Sequence, residues 1–156
     1  MCPKNGVLAR QFLALNNIQA EFISVAASCH SVEDTARVLG VEPGQVVKNI
    51  CLVDSEERLY VTILRGDTRL DKDRLKILLG LPKLSMATKE QVLKLTGYPT
   101  GGVPPFGYVA KFILDEKVKE TQFVYTGAED DFALLKISVK ALLDANGARI
   151  ASIVQG

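Results

Sequence analysis

One lysine occupies a position where lysine is unusual. Lys48 lies in the segment 45–53, whose letters QVVKNICLV predict a β-strand that is mostly apolar on both faces. A lysine is rarely buried without a partner. Either its aliphatic stem carries the ammonium to the surface, or the ammonium faces a cavity that receives an anion. The strand by itself leaves both alternatives open.

A loop rich in glycine and proline is the second feature that could do chemistry. The segment 97–107 holds four of the 12 glycines and three of the six prolines. Proline fixes φ and glycine permits close approach, so a stiff loop with exposed peptide groups is predicted. Exposed N–H groups can cradle a carbonyl oxygen or an oxyanion. The alternative is a wide connection between a helix and a strand, but the apolar tip at Val103 and Phe106 favours a pocket wall.

His30 is the only histidine and so the only side chain whose unperturbed pKa lies near neutrality. Cys29 precedes it, which makes a nucleophilic Cys–His pair conceivable. Neighbours in an extended chain point in opposite directions, so a surface position before a helix is favoured over catalysis, and a role in lining a pocket stays open. Together with Cys2 and Cys51 these residues contain no C-x-x-C pair, so we expect neither a zinc site nor a disulfide framework.

Helix and strand patterns alternate around these residues. Helices are predicted near 8–16, 31–40, 71–80, 88–97 and 138–147, the last four between a capping residue and a glycine. Strands are predicted at 21–25, 45–53, 58–64, 108–114, 122–126, 132–137 and 148–153, the second and third forming a hairpin. The sequence therefore predicts an α+β fold, with a mixed, largely antiparallel, barrel-like sheet surrounded by helices, in a single domain over residues 1–156.

Composition narrows the class of protein. The 156 residues are 47% hydrophobic and 24% charged with a net charge of +1, so any RNA partner has to be held by a local basic patch. The apolar runs are far below the ~18 residues of a membrane span, and no signal core follows the N-terminus. We expect a cytoplasmic protein without membrane or DNA partners. Neither a phosphate-binding loop nor a dinucleotide fingerprint is present, so we expect no cofactor.

Three segments of the chain resemble the YbaK/prolyl-tRNA-editing family. The first runs from His30 to Lys48, the second is the loop, which fits a G-x-x-x-P signature from Gly101 to Pro105, and the third begins at Val124. The similarity covers about residues 20–154. The lysine segment and the loop, in this order, are together fairly specific.

The resemblance implies a fold, an activity and a site. Members have a β-barrel-like core ringed by helices and hydrolyse mischarged aminoacyl-tRNA, which serves translation fidelity. The strand lysine contacts the terminal adenosine end, the loop holds the aminoacyl carbonyl, and a substrate hydroxyl or water acts without metal or side-chain nucleophile. Lys48 is therefore expected to be catalytic. The expected substrate-binding residues are His30, Gly101, Gly102, Val103, Pro104, Pro105, Thr126, Gly127 and Asp130, with Asp131 as the alternative to Asp130.

The leading hypothesis is thus a metal-independent deacylase whose first candidate substrate is a misacylated prolyl-type tRNA. Its expected partners are the acceptor end of aminoacyl-tRNA and, as a further candidate, an aminoacyl-tRNA synthetase. Asn49 and Pro104 stand where the family often has Thr and Ser. These departures keep open a non-catalytic module that binds aminoacyl-tRNA or a synthetase. A third hypothesis is a thiol hydrolase that uses Cys29 and His30.

Overall fold

The structure, a computed structural model, describes residues 7–25, 29, 31–128 and 130–156. Over these residues the chain forms five α-helices and eight β-strands, which confirms the predicted α+β class. The helices are α1 (Val7–Leu15), α2 (Val32–Leu39), α3 (Lys72–Leu79), α4 (Lys89–Thr96) and α5 (Val139–Asn146). The strands are β1 (Glu21–Ser24), β2 (Val47–Asp54), β3 (Leu59–Arg65), β4 (Leu84–Met86), β5 (Lys111–Asp115), β6 (Phe123–Ala128), β7 (Asp130–Ser138) and β8 (Arg149–Ala151).

Local sequence sets the ends of four helices as predicted. The side chains that accept a hydrogen bond from the backbone N–H three residues later, at the starts of α2 to α5, are Ser31, Asp71, Thr88 and Ser138. The residues that end these helices are Gly40, Gly80, Gly97 and Gly147. No helix in the described part of the chain has the length and apolar character needed to cross a membrane.

The strands form two sheets. One has the order β1–β7–β6 and is antiparallel throughout. The other has the order β4–β2–β3–β5–β8, in which β5 runs parallel to both neighbours while β2 is antiparallel to β3 and β4. A bridge between Val46 and Tyr125 joins the two sheets. The arrangement is mixed and largely antiparallel, as predicted, whereas the barrel-like closure stays a prediction because the described strands form two sheets.

Two elements differ from the prediction. Strand β4 was not predicted, because its three residues follow a proline and only Leu84 is buried, so no alternating pattern identifies it. The strand expected from Tyr108 begins at Lys111 instead. The Tyr108 hydroxyl donates a hydrogen bond of 2.6 Å to the Pro104 carbonyl, so this residue belongs to the loop rather than to the strand.

The β2–β3 hairpin lies at the centre of the core, covered on both faces. Leu52 packs with Leu75 of α3 on one face, and Val53 packs with Val92 of α4 on the other. Strand β4 pairs with β2 only along residues 52–54, the C-terminal end of β2. The N-terminal half of β2 therefore presents its outer edge to β6 and the loop, and the functional site is built there.

The buried carboxylate of Asp54 stabilises the turn of this hairpin through hydrogen bonds. One carboxylate oxygen accepts the backbone N–H groups of Glu56 and Arg58, both at 2.9 Å. The other accepts Arg58 Nε at 2.7 Å and the Tyr60 hydroxyl at 2.8 Å. Burial alone would raise the pKa of Asp54, but these hydrogen bonds outweigh it and hold the pKa well below its usual range.

We expect Asp54→Asn to lower the free energy of unfolding by roughly 2 kcal/mol at neutral pH, because hydrogen bonds to a charged acceptor are lost. A depressed folded-state pKa stabilises the protein above the unfolded pKa of about 3.9, so the deficit should shrink as the pH falls below about 4. Urea unfolding at several pH values measures both effects. The exposed carboxylate of Asp144 provides the control variant, Asp144→Asn, and a deficit that does not change with pH would contradict the assignment.

Candidate functional site

A cavity of about 260 Å³ lies where the start of α2, the first half of β2, the loop 97–107 and the β6–β7 hairpin meet. From the loop and the strands it is lined by Lys48, Asn49, Gly101, Val103, Gly127 and Leu134. Near α2 and the start of β2 the lining residues are Cys29, Ser31, Val32, Thr35, Val46 and Val47. The sequence did not indicate the contribution of α2, because it depends on how this helix packs over the sheet.

The cavity brings together four of the predicted site residues, namely Lys48, Gly101, Val103 and Gly127. The other predicted residues of the loop and of β6, which are buried but do not line the cavity, are Gly102, Pro104, Pro105 and Thr126. His30 and the side chain of Asp130 lie outside the described part of the chain, so their roles stay predictions.

Lys48 supplies the charge of the cavity. Among the described lining residues it is the only ionisable side chain apart from the Cys29 thiol. No ion pair or hydrogen bond links its ammonium to another residue within the described ranges. The neighbouring cation Arg65 is neutralised instead, by Asp67 at 2.8 Å and Glu120 at 3.0 Å. Lys48 thus lines a cavity, as the second of its two alternatives requires, and the binding of an anion there stays a prediction.

Asn49 connects three elements behind this lysine. Its Nδ2 donates to the Val103 carbonyl at 3.0 Å and to the Thr126 hydroxyl oxygen at 2.7 Å. Its Oδ1 is buried and accepts no hydrogen bond from the described residues. From the sequence Asn49 stood out only as a departure from the family pattern. The signal that could have identified it is one amide on a strand face that otherwise carries Val47 and Cys51.

The loop approaches β6 so closely that a side chain at Gly127 would require the loop backbone to shift. A Cβ atom at Gly127 would lie 3.1 Å from the Gly101 carbonyl oxygen, which is tighter than nearly all real contacts. Gly101 itself has a φ of 93°, a region that residues with a Cβ rarely adopt. The two glycines thus permit the backbone contact that forms this wall of the cavity.

The C-terminal part of the loop is held by hydrogen bonds to the carbonyls of two prolines. The Pro104 carbonyl accepts from the Tyr108 hydroxyl, and the Pro105 carbonyl accepts from Asn146 Nδ2 at 2.9 Å. Neither proline lines the cavity. In the described structure their carbonyls hold the loop, and a direct contact of either proline with the substrate stays a prediction.

The thiols occupy different environments. Cys29 is buried in the cavity wall, whereas Cys51 lies in the core cluster that includes Val92 of α4. Burial raises the pKa of Cys51 to about 11, so its thiol stays protonated at neutral pH. Within the described residues no three His, Cys, Asp or Glu side chains lie close enough to hold a metal ion.

Part of the chain is similar in sequence to known proteins. The proline–tRNA ligase of Geotalea daltonii is 40% identical over 98 residues, which are 63% of this chain and 17% of the ligase. The proline–tRNA ligase of Geobacter sulfurreducens is 32% identical over 128 residues, which are 81% of this chain and 22% of the ligase. The chain therefore spans about a fifth of the length of these relatives.

A solved structure and a family model agree with this similarity. The crystal structure of a proposed trans-editing enzyme for prolyl tRNA synthetase superposes with a TM-score of 0.88 and 28% identity, and the match covers 100% of both chains. The model of the aminoacyl-tRNA editing domain matches residues 26–145. The resemblance seen in the lysine segment and the loop is thereby confirmed, and the chain belongs to the aminoacyl-tRNA editing domain family.

Proposed function

We propose that the protein is a deacylase that hydrolyses the ester bond of mischarged aminoacyl-tRNA. The observation that supports this best is the cavity that is lined both by Lys48 and by the loop residues Gly101 and Val103. An ester at the end of an RNA presents an anionic backbone beside a polarised carbonyl. An ammonium suits the first and backbone N–H groups suit the second. The proline–tRNA ligases among the relatives make a misacylated prolyl-type tRNA the first substrate to test.

Each part of the cavity has a role in this mechanism. Lys48 binds the terminal nucleotide as a compact point charge and fixes the ester. The Gly102 N–H donates to the Pro99 carbonyl at 3.0 Å, so the N–H groups of Gly101 and Val103 are the donors proposed for the ester carbonyl. Water, positioned by a substrate hydroxyl, attacks the carbonyl carbon and gives up a proton, and the C–O bond to the ribose then breaks. The ribose oxygen takes up a proton, and the amino acid leaves.

The remaining predicted residues complete the proposed site. Thr126 supports the cavity from behind through Asn49, and Gly127 provides the room for the loop. His30 is proposed to border the aminoacyl group and Asp130 to lie near the β6–β7 turn. The reaction as proposed uses neither a metal ion nor a side-chain nucleophile.

A deacylation screen over a panel of mischarged tRNAs tests the proposal. Turnover well above spontaneous hydrolysis on at least one member is expected. Tight binding of aminoacyl-tRNA without turnover would instead identify the non-catalytic module that the departures at Asn49 and Pro104 keep open. The screen should be run with a tRNA carrying its correct amino acid as the reference.

We expect Lys48→Ala to lower kcat/KM by roughly 30- to 1000-fold, because a charged contact in a desolvated site is lost. The melting temperature should stay near that of wild type. Lys48→Arg should recover only part of the activity, since a planar fork replaces a compact charge. Lys119→Ala, at an exposed lysine outside the cavity, is the matched control. Activity of Lys48→Ala within about threefold of wild type would exclude the proposed role.

Asn49→Ala is expected to lower kcat by roughly 10- to 100-fold with a small change in KM. Loss of its two hydrogen bonds allows the loop and its N–H groups to move from the position that the reaction needs. Single-turnover rates and thermal unfolding, measured on the same preparations, separate this effect from loss of fold. Gln155→Ala removes an exposed amide that also donates to a carbonyl and serves as control. A destabilised Asn49→Ala with normal turnover would assign the amide a purely structural role.

Cys29→Ser and Cys51→Ser should retain most of the deacylase activity, and a metal chelator should leave it unchanged. The physical reason is that the proposed attack uses water positioned by a substrate hydroxyl and the protein supplies polarising groups. Initial rates with and without chelator, together with rates for both variants, provide the measurement. A stable but inactive Cys29→Ser would support the thiol hydrolase hypothesis, and inhibition by the chelator would support a metal site.

A further inference from the structure

One face of the three-stranded sheet continues the cavity along the surface. Because side chains alternate along a strand, Phe123, Tyr125 and Gly127 point to the same side of β6. The register places Lys136 opposite Tyr125 and Leu134 opposite Gly127, so these two residues of β7 share that side. Gly127 and Leu134 line the cavity. The five residues, here called the outer face, therefore lead from the cavity to the far end of the sheet.

Lys48 belongs to the same side of the structure. Val46 forms a parallel bridge with Tyr125, and residues that pair across a bridge point the same way. Two residues further along each strand, Lys48 stands beside Gly127. The lysine proposed to bind the terminal nucleotide and the aromatic residues of the outer face thus lie on the same side of the strands, with the buried side chains of Val46 and Leu134 between them.

The outer face carries an aromatic pair around a cation. Lys136 Nζ lies 5.0 Å from the ring centroid of Phe123 and 6.0 Å from that of Tyr125. Phe123 is 42% exposed, although a ring of this size is usually buried when it serves only the core. Aromatic rings on an open sheet stack well on unpaired bases, and a lysine beside them can contact the phosphate between two bases.

An open groove of about 990 Å³ extends beyond Phe123. Its lining is rich in hydrogen-bonding groups, including Asn17, Gln122 and Lys140. Glu21, which pairs with Lys136 in the register of β1 and β7, also borders the groove and opposes the approach of an anion. The groove thus offers polar contacts to a nucleotide chain. Replacing Glu21 with a neutral residue tests whether its negative charge weakens the binding of that chain.

We propose that the outer face binds the unpaired RNA that precedes the esterified nucleotide, with bases stacked on Tyr125 and Phe123 and a phosphate at Lys136. The proposal rests on the proposed function, since the ester at Lys48 sets the direction of the chain. The four residue steps from Gly127 to Phe123 span about 13 Å, room for more than one nucleotide at the ~3.4 Å spacing of stacked bases. Continuity with the cavity favours RNA over a protein partner.

Binding is measured first, without any ester. Fluorescence anisotropy of a labelled, six-nucleotide single-stranded RNA gives the Kd over a range of salt concentrations. Phe123→Leu and Tyr125→Leu keep apolar volume but remove the ring, and each should weaken binding roughly 5- to 100-fold. Lys136→Gln should reduce the slope of log K against log salt by about 0.7, the value for one phosphate contact on a single strand. Glu21→Gln should tighten binding.

Two control variants show whether the loss of binding is specific to the outer face. Lys119→Gln removes an exposed lysine elsewhere, and Ile77→Ala removes an exposed apolar residue of α3; both should bind RNA like wild type. Thermal unfolding of every variant shows whether the fold is kept. Lys136→Gln and Glu21→Gln change the charge of the surface and keep most of the side-chain volume. They therefore test RNA binding by the outer face even if Phe123→Leu or Tyr125→Leu is unstable.

Hydrolysis is measured second, on aminoacyl-tRNA and on aminoacyl-adenosine, an ester too short to reach Tyr125. The variants of the outer face should lose kcat/KM on aminoacyl-tRNA and match wild type on aminoacyl-adenosine. Variants that bind RNA and hydrolyse both esters like wild type would overturn the surface while leaving the deacylase intact. A wild-type protein that hydrolyses neither ester, yet binds RNA through Phe123 and Lys136, would support the surface and overturn the proposed function.

Discussion

The carboxamide of Asn49 holds the functional site together. It projects from the centre of β2 and donates to a loop carbonyl and to a hydroxyl on β6, elements separated from it by 54 and 77 positions in the chain. These two hydrogen bonds add to the packing between the loop and β6, where Phe106 and Val124 belong to one buried hydrophobic cluster. Lys48 directly precedes Asn49 in the same strand, so the hydrogen bonds of Asn49 also hold in place the loop and the strand that lie near Lys48. The hydrogen bonds of Asn49 therefore help to set both the position of Lys48 and the shape of the cavity.

The charge distribution follows from the same geometry. Cations and acids near the site are largely paired with one another, as Arg65 is with Asp67 and Glu120. Lys48 lies among apolar and uncharged residues. The attraction between its ammonium and an anion is less screened by water and salt there than on an open surface. A chain with a net charge of only +1 can therefore still present a strong local attraction for an anion.

Local features of the fold were accessible from the sequence, and long-range ones were not. Caps such as Thr88 and the charged turn of the β2–β3 hairpin act over a few residues, so their patterns identified most helices and strands. Strand β4 lacks such a pattern, because it exists only through pairing with β2. The same distinction applies to the site. Lys48 and the loop were found through residue type and order, whereas the wall formed by α2 and the hydrogen bonds of Asn49 depend on tertiary contacts.

The junction between the two sheets has a mechanical consequence. In the described strands, the ladders run within each sheet, and the bridge from Val46 to Tyr125 joins one sheet to the other. The cavity lies directly beside this junction. The two sheets also share one hydrophobic cluster, in which Val47 and Ile63 of one sheet pack with Val124 and Leu135 of the other, so buried packing as well as the bridge opposes rotation of one sheet against the other. The width of the cavity is therefore tied to the packing between the two sheets, and a change of side-chain volume in that packing can reshape the cavity without altering any residue that lines it.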